Sequence, residues 1–168
     1  MTISSARITI KIDATQTATA GVSSVESVTA IKNIIDFTNG TGANQASAVW
    51  TSTRTLAASA TEDLDFAGGA LTDAFGTTVS ADRIKAIYVE AASGNTNNVN
   101  VARSSSNGVP MFLAASDGIP IGPGGALLLV APDAAAINVT AGTGDKLTFT
   151  NSAGTTGVTY TIAVIYTV

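Results

Sequence analysis

Cysteine and histidine are both absent from the 168 residues. Without cysteine there is no disulfide, no thiolate nucleophile, no zinc thiolate site and no iron–sulfur cluster. Without histidine the commonest general base and the commonest metal ligand are missing. Ser-His-Asp triads, H-E-x-x-H zinc sites and His-based deaminases are therefore excluded. Charge is scarce as well: 12% of residues carry one, about half the usual ~25%. Aromatic residues make up 5% of the chain and only four positions are proline.

The formal net charge is −4 and no three basic residues are consecutive, which argues against broad phosphate-backbone binding. The densest apolar run, residues 125–131, spans seven positions, far from the ~20 of a membrane-spanning helix. The first twelve residues lack the apolar core of a secretory leader. The expectation is a soluble protein made and kept inside a cell, or assembled there into something larger. What is abundant is small: Ala, Thr and Gly fill 70 of the 168 positions. Such side chains let neighbouring surfaces approach closely, and ordering them costs little side-chain entropy. The length suits one domain with a real core.

Short alternating segments separated by Gly, Asn, Asp and Ser clusters predict an all-β chain. Residues 7–12 place Ile8, Ile10 and Ile12 on one face and Arg7, Thr9 and Lys11 on the other. Residues 13–24, with no charge between Asp13 and Glu26, read as an exposed arm or loop. In residues 25–37 the apolar spacing fits a helix stripe or a strand, and β-branched enrichment favours strand. Further strands are expected at 46–56, 63–66, 83–92, 98–103, 110–114, 125–131, 136–141, 146–151 and 158–168. Asn39-Gly40 predicts a hairpin turn. The polar turn at 94–98 joins 83–92 to 98–103 as another hairpin. The eleven-residue closing strand, with Val158, Tyr160, Ile162, Val164 and Tyr166 on one face, reads as a central element. Eight to ten strands make the expected fold a single β-sandwich or jelly-roll-like domain. Residues 1–24 form an N-terminal strand and arm, and residues 25–168 form the domain.

Three patterns invite a chemical reading. Glu62, Asp63 and Asp65 lie within four positions, and in a strand Asp63 and Asp65 share a face while Glu62 points away. Paired carboxylates can serve glycoside hydrolysis or hold Ca²⁺, but a charged face along a short edge strand is the simpler account. Residues 118–125 (Gly-Ile-Pro-Ile-Gly-Pro-Gly-Gly) lack the Gly-Lys-Ser/Thr ending of a phosphate loop, and the prolines remove backbone donors. They read as a loop and rigid turn that opens a strand and places residues 127–130 in the core. Trp50, Tyr88, Tyr160, Tyr166 and the five phenylalanines suggest a sugar or single-strand nucleic-acid platform, but no cluster of them is visible. Trp50, in a polar segment with Thr51, Thr53 and Arg54, also suits an interface. The phenylalanines read as core filling. Asn39-Gly-Thr41 and Asn138-Val-Thr140 match the glycosylation pattern, and without a leader they read as chance. No catalytic, cofactor or metal residue is assigned, and the expectation is no enzyme.

Asp82-Arg-Ile-Lys-Ala-Ile-Tyr-Val-Glu90 is followed by Pro-Gly-Gly-Ala-Leu-Leu-Leu-Val-Ala-Pro132 and then by Ile137-Asn-Val-Thr-Ala-Gly-Thr-Gly-Asp-Lys-Leu-Thr-Phe-Thr-Asn151. With Val158-Thr-Tyr-Thr-Ile-Ala-Val-Ile165, and Leu71-Thr-Asp-Ala-Phe-Gly76 ahead of them, these segments resemble small structural proteins of tailed-bacteriophage virions. The likeness covers residues 71–168 and is one of texture and turn order. It implies a β-sandwich attached to a capsid or tail as a decoration (cement) protein, head fibre or other minor part, and it carries over no functional residue. Residues 1–59 depart from it, and the specific docking is expected there.

The expected function is a capsid decoration protein that binds the outer shell in the virion as a homo-oligomer, a trimer favoured, and staples neighbouring capsomers. Its partners would be the major capsid protein or other virion proteins, with no nucleic acid and no membrane. A tail, neck or head-fibre part is the alternative. A carbohydrate-binding β-sandwich and a carboxylate enzyme follow behind.

Overall fold

The computed structural model describes residues 2–21 and 23–168. Threonine, isoleucine and valine are frequent in the first forty positions, and this part forms the two longest strands. β1 (Ala6–Ala20) and β2 (Ser23–Asn39) are antiparallel, in unbroken register from Ala6 opposite Phe37 to Ala20 opposite Ser23. Gly21, at φ 67°, lies between them. Both faces of the ribbon are exposed for most of its length. Residues 13–20, expected as an arm or loop, are therefore strand. The division expected after residue 24 falls inside the ribbon, next to its turn. The reason is physical: a strand wet on both faces shows no hydrophobic alternation.

The ribbon's base passes through β3 (Gln45–Ala46), which pairs with Thr38 and Asn39 in parallel. Asn39-Gly40 thus starts a loop back to the body and is not the two-residue hairpin turn expected. The remaining strands are β4 (Ala48–Leu56), β5 (Thr61–Asp65), β6 (Arg83–Ala91), β7 (Val99–Arg103), β8 (Gly118–Ile121), β9 (Ala126–Val130), β10 (Ile137–Asn138), β11 (Lys146–Asn151) and β12 (Val158–Thr167). A five-stranded sheet runs β10-β6-β12-β4 with β9 also on β6, and a four-stranded sheet runs β5-β11-β7-β8. The chain is all-β.

Pairing within the body is nested. β4 pairs β12, β5 pairs β11, β6 pairs β9 and β7 pairs β8, each antiparallel, so early strands meet late ones in order. The inward residues of both sheets share one apolar core, including Leu64, Val101, Leu147 and Phe149 from the smaller sheet and Ile87, Val89, Tyr160 and Ile162 from the larger. Phe149 stacks on Tyr160 with ring centroids 4.7 Å apart. β12 lies between β4 and β6, as expected of the closing strand, and its even-numbered residues from Val158 to Tyr166 are buried.

Three local expectations are corrected. Strands β6 and β7 do not form a hairpin, because they belong to different sheets and residues 92–98 cross between them. Asn95 shapes this arch by acting like a stretch of backbone: its Nδ2 donates to Thr159 O and its Oδ1 accepts from Thr159 N, both at 2.8 Å. Residues 110–114 are turn and bend, not strand. Within the loop expected at 116–125, Gly118–Ile121 instead forms the edge strand β8. Pro120 is tolerated there because an edge strand has one row of backbone groups without ladder partners. At Gly118 a Cβ would meet Val101 O at 2.4 Å, so only glycine permits this close approach to β7.

Replacing Asn95 by Ala removes two bonds to the β12 backbone and should lower unfolding stability by about 1–3 kcal/mol. Urea titration measures it, and an unchanged midpoint would remove Asn95 from its role in the arch.

Candidate functional site

The antiparallel registers place one set of connections together. Starts of β4 and β6 and the end of β12 meet at Ala48, Arg83 and Tyr166. In the other sheet the start of β11 lies beside the ends of β5 and β7. The shared loops tie these sheet ends to each other: Phe66 N donates to Asp145 O, Ala81 N to Phe66 O and Asp82 N to Thr167 O. This end therefore carries the long loops 66–82, 104–117 and 131–145, and the ribbon leaves the body here.

The exposed large apolar side chains follow that asymmetry. Five are on the ribbon: Ile12, Val25, Val28, Ile31 and Ile34. Phe75 and Leu113, at the tips of loops 66–82 and 104–117, are 83% and 99% exposed. Among the described residues none lies in the opposite-end loops 57–60, 92–98, 122–125 or 152–157. Large apolar groups exposed at loop tips mark candidate interaction surfaces. The Asp73 carboxylate accepts from Phe75 N and Thr77 N, which fixes the turn that presents Phe75.

The ribbon's root is fastened to the body by a buried lysine. Lys85 is fully buried, and its Nζ donates to Gly42 O at 3.0 Å and to Asp133 O at 2.6 Å. Burial of the ammonium lowers its pKa, partly offset by the nearby Asp133 carboxylate. Asn44 N donates to Pro132 O, Ser47 N donates to Tyr166 O, and Phe37 is buried. Beside the root a cleft of about 300 Å³ separates Arg7, Ile8 and Thr9 from the outward side chains of Tyr88, Leu128 and Ile165. In the sequence Lys85 differs from a surface lysine on a strand only in lying in a segment, 84–89, that is apolar on both parities.

The carboxylate cluster is separated as the strand parity predicts. Glu62 faces inward: Arg54 Nε donates to Glu62 Oε2 at 2.8 Å and the Tyr160 hydroxyl donates to Oε1 at 2.8 Å. Asp63 and Asp65 face outward. Asp63 accepts from the Thr148 hydroxyl at 2.6 Å, and Asp65 accepts from Ala67 N at 3.0 Å. Each carboxylate is thus engaged in a local structural bond, and among the described residues no group of three Asp or Glu converges. Burial, then the bond to Glu62, raises the Tyr160 hydroxyl pKa well above its ordinary value.

The aromatic platform is also corrected. Trp50 is buried; its Nε1 donates to Thr72 O at 3.0 Å, and its ring meets Phe66 edge-on at 6.1 Å. An indole with a hidden face and an occupied N–H offers no surface to a sugar or partner. Tyr160 and Tyr166 are buried too, and Tyr88 is half-buried with its hydroxyl on Glu90. Phe37, Phe66 and Phe149 fill the interior as expected, whereas Phe75 does not. Of the polar neighbours of Trp50, Thr51 and Thr53 misled because they occupy the opposite, outward parity of β4, while Arg54 shares the inward parity and is engaged by Glu62.

No protein-family model, curated protein or solved structure matches this chain.

Two outcomes follow from these bonds. Lys85→Met removes both charge-assisted bonds to the Gly42 and Asp133 carbonyls, which should cost about 1–3 kcal/mol and speed hydrogen exchange in residues 38–44. Because the Tyr160 pKa is raised in the folded state, the unfolded chain ionises first. Stability is full below the ordinary tyrosine pKa of ~10 and is lost as pH rises past it. The urea midpoint should fall from pH 9 to 11, less steeply in Tyr160→Phe.

Proposed function

We propose that this chain is a structural protein of a virus particle, a capsid decoration protein that works by contact and not by chemistry. The observation that carries the reading is the ribbon end, where one pole of the molecule gathers a long projecting ribbon, three long loops and two apolar side chains left in water. A protein that staples neighbouring subunits needs such reach, together with a rigid body behind it. The small, sparsely charged composition and the likeness of residues 71–168 to small phage structural proteins support it.

For the body we infer a β-sandwich of the jelly-roll kind. Nested pairing, first strand with last and each inner pair in turn, is what results when one long antiparallel hairpin is rolled so that successive pairs alternate between two sheets. β4–β12 and β6–β9 then fall in one sheet, and β5–β11 and β7–β8 in the other. Jelly rolls recur in capsid and lectin proteins, and burial of Trp50 weakens the carbohydrate reading here. In this proposal the ribbon end faces the major capsid protein, and copies associate with one another on the shell.

Phe75→Ser with Leu113→Ser alters two exposed side chains, so folding stability should stay within about 0.5 kcal/mol. Binding to purified particles, read by co-sedimentation, should fall at least tenfold, and particle imaging should place the unaltered protein on the shell. Full binding by the double variant, or density confined to the tail or neck, would overturn the docking surface or the location respectively.

A further inference from the structure

The ribbon has two chemically different faces. Directly paired residues of an antiparallel ladder share a face. The register therefore puts Arg7, Lys11, Asp13, Glu26, Lys32 and Asp36, all six charges of the ribbon, on the same side. Arg7 bonds Asp36 and Lys11 pairs with Asp13 on that side. The other side has no charge at all; Ile8, Ile10, Ile12, Val25, Ile31 and Ile35 are its large apolar residues, and Gln16 and Asn33 are its larger polar ones. At the root Ile8, Ile10 and Ile35 are half-buried, but Ile12, Val25 and Ile31 are each more than half exposed. An isolated two-stranded ribbon is marginal in water. One with an uncovered aliphatic face is also open to unwanted association.

A second neutral surface lies on the same molecule. The outward face of the five-stranded sheet runs in rows across β4, β12, β6 and β9: Val49, Ile165, Ala86 and Val130, then Thr51, Ala163, Tyr88 and Leu128, then Thr53, Thr161, Glu90 and Ala126. In those three rows Glu90 alone is charged, and it is engaged by the Tyr88 hydroxyl. Val49 and Leu128 are each 38% exposed. The cleft beside the ribbon root opens onto this face.

We propose that the uncharged face of the ribbon docks on the outward face of the five-stranded sheet of a second copy of this chain, each copy giving one ribbon and receiving one. Matching charge and area select this occupant. An aliphatic face with no charge fits a neutral sheet and would strand the counter-charges of an ionic one. From Ile12 to Ala20, beyond the half-buried root, the ribbon extends roughly 30 Å at ~3.3 Å per residue and is about 10 Å wide, so one face offers about 300 Å². Packing ribbon on ribbon alone would bury well under half of the ~800 Å² per partner of a standard interface. Giving one ribbon and receiving another doubles this to about 600 Å² per partner, the lower end of specific interfaces. The six charges then stay in water on the outer side of the assembly. The exchange deepens the reading of the chain as an oligomeric contact protein, and its test uses no shell, so its failure leaves attachment to a particle to its own experiment.

Sedimentation of the full chain should give a mass of at least twice 16.7 kDa. Val25→Lys with Ile31→Lys, on the uncharged face, should reduce it to a single chain, while Val28→Lys, on the charged face, should leave it unchanged. A wild-type monomer, or dissociation by Val28→Lys to the same extent, overturns the proposal. Because the chain has no cysteine, single-cysteine copies provide a second reading that needs no loss of association. Mixed Ile12→Cys and Leu128→Cys chains should form a disulfide-linked pair on mild oxidation, and mixed Val28→Cys and Leu128→Cys chains should not. Equal linking in both mixtures, or none in the first, also overturns it.

Discussion

The C-terminal strand is the member on which the rest of the molecule depends. β12 pairs along its length with β4 on one side and β6 on the other. Its inward residues occupy the middle of the core, and its ends receive the arch at Asn95 and the ribbon root through Ser47 and Tyr166. β4 and β6, far apart in sequence, are joined in one sheet only through this strand. Formation of the fold therefore rests on non-local pairing, the slow kind, because long loops must close before any contact stabilises them.

Placed on that body, the ribbon is a different sort of object. Inside the body stability comes from two sheets burying apolar side chains, aided by the stacked Phe149 and Tyr160. In the ribbon it comes from backbone pairing and cross-strand contacts alone, with Lys11 directly opposite Lys32 as an unfavourable pair eased by Asp13. The two meet at a root where a buried ammonium ties loop carbonyls together. A projecting ribbon tied down at its root can reach outward without losing its direction. That combination suits work done by contact.

Legibility in the sequence followed burial. β11 and β12 were readable almost to the residue, because one face of each is buried and the other is largely threonine. The parity that separates Glu62 from Asp63 and Asp65 was readable for the same reason. Where both faces are wet, as in residues 13–20, the alternation vanished and a strand looked like a loop. Where a polar turn lies between two apolar strands, as at 94–98, periodicity cannot tell a hairpin from a crossing between sheets. Trp50 and Lys85 were misjudged from their neighbours in sequence, whereas their environment is set by the neighbouring strands.

Composition and local alternation determined that this is an all-β chain without thiol or imidazole chemistry, poor in charge and rich in small side chains. Those properties are local and additive, so counting and alternation capture them. Tertiary structure alone decided which strands share a sheet, that the most exposed apolar loop tips, Phe75 and Leu113, share a pole with the ribbon root, and that the ribbon's charges fall on one face. Each of these depends on register between residues distant in the chain. A shift of one residue between β1 and β2 would scatter the same six charges over both faces while leaving the composition unchanged.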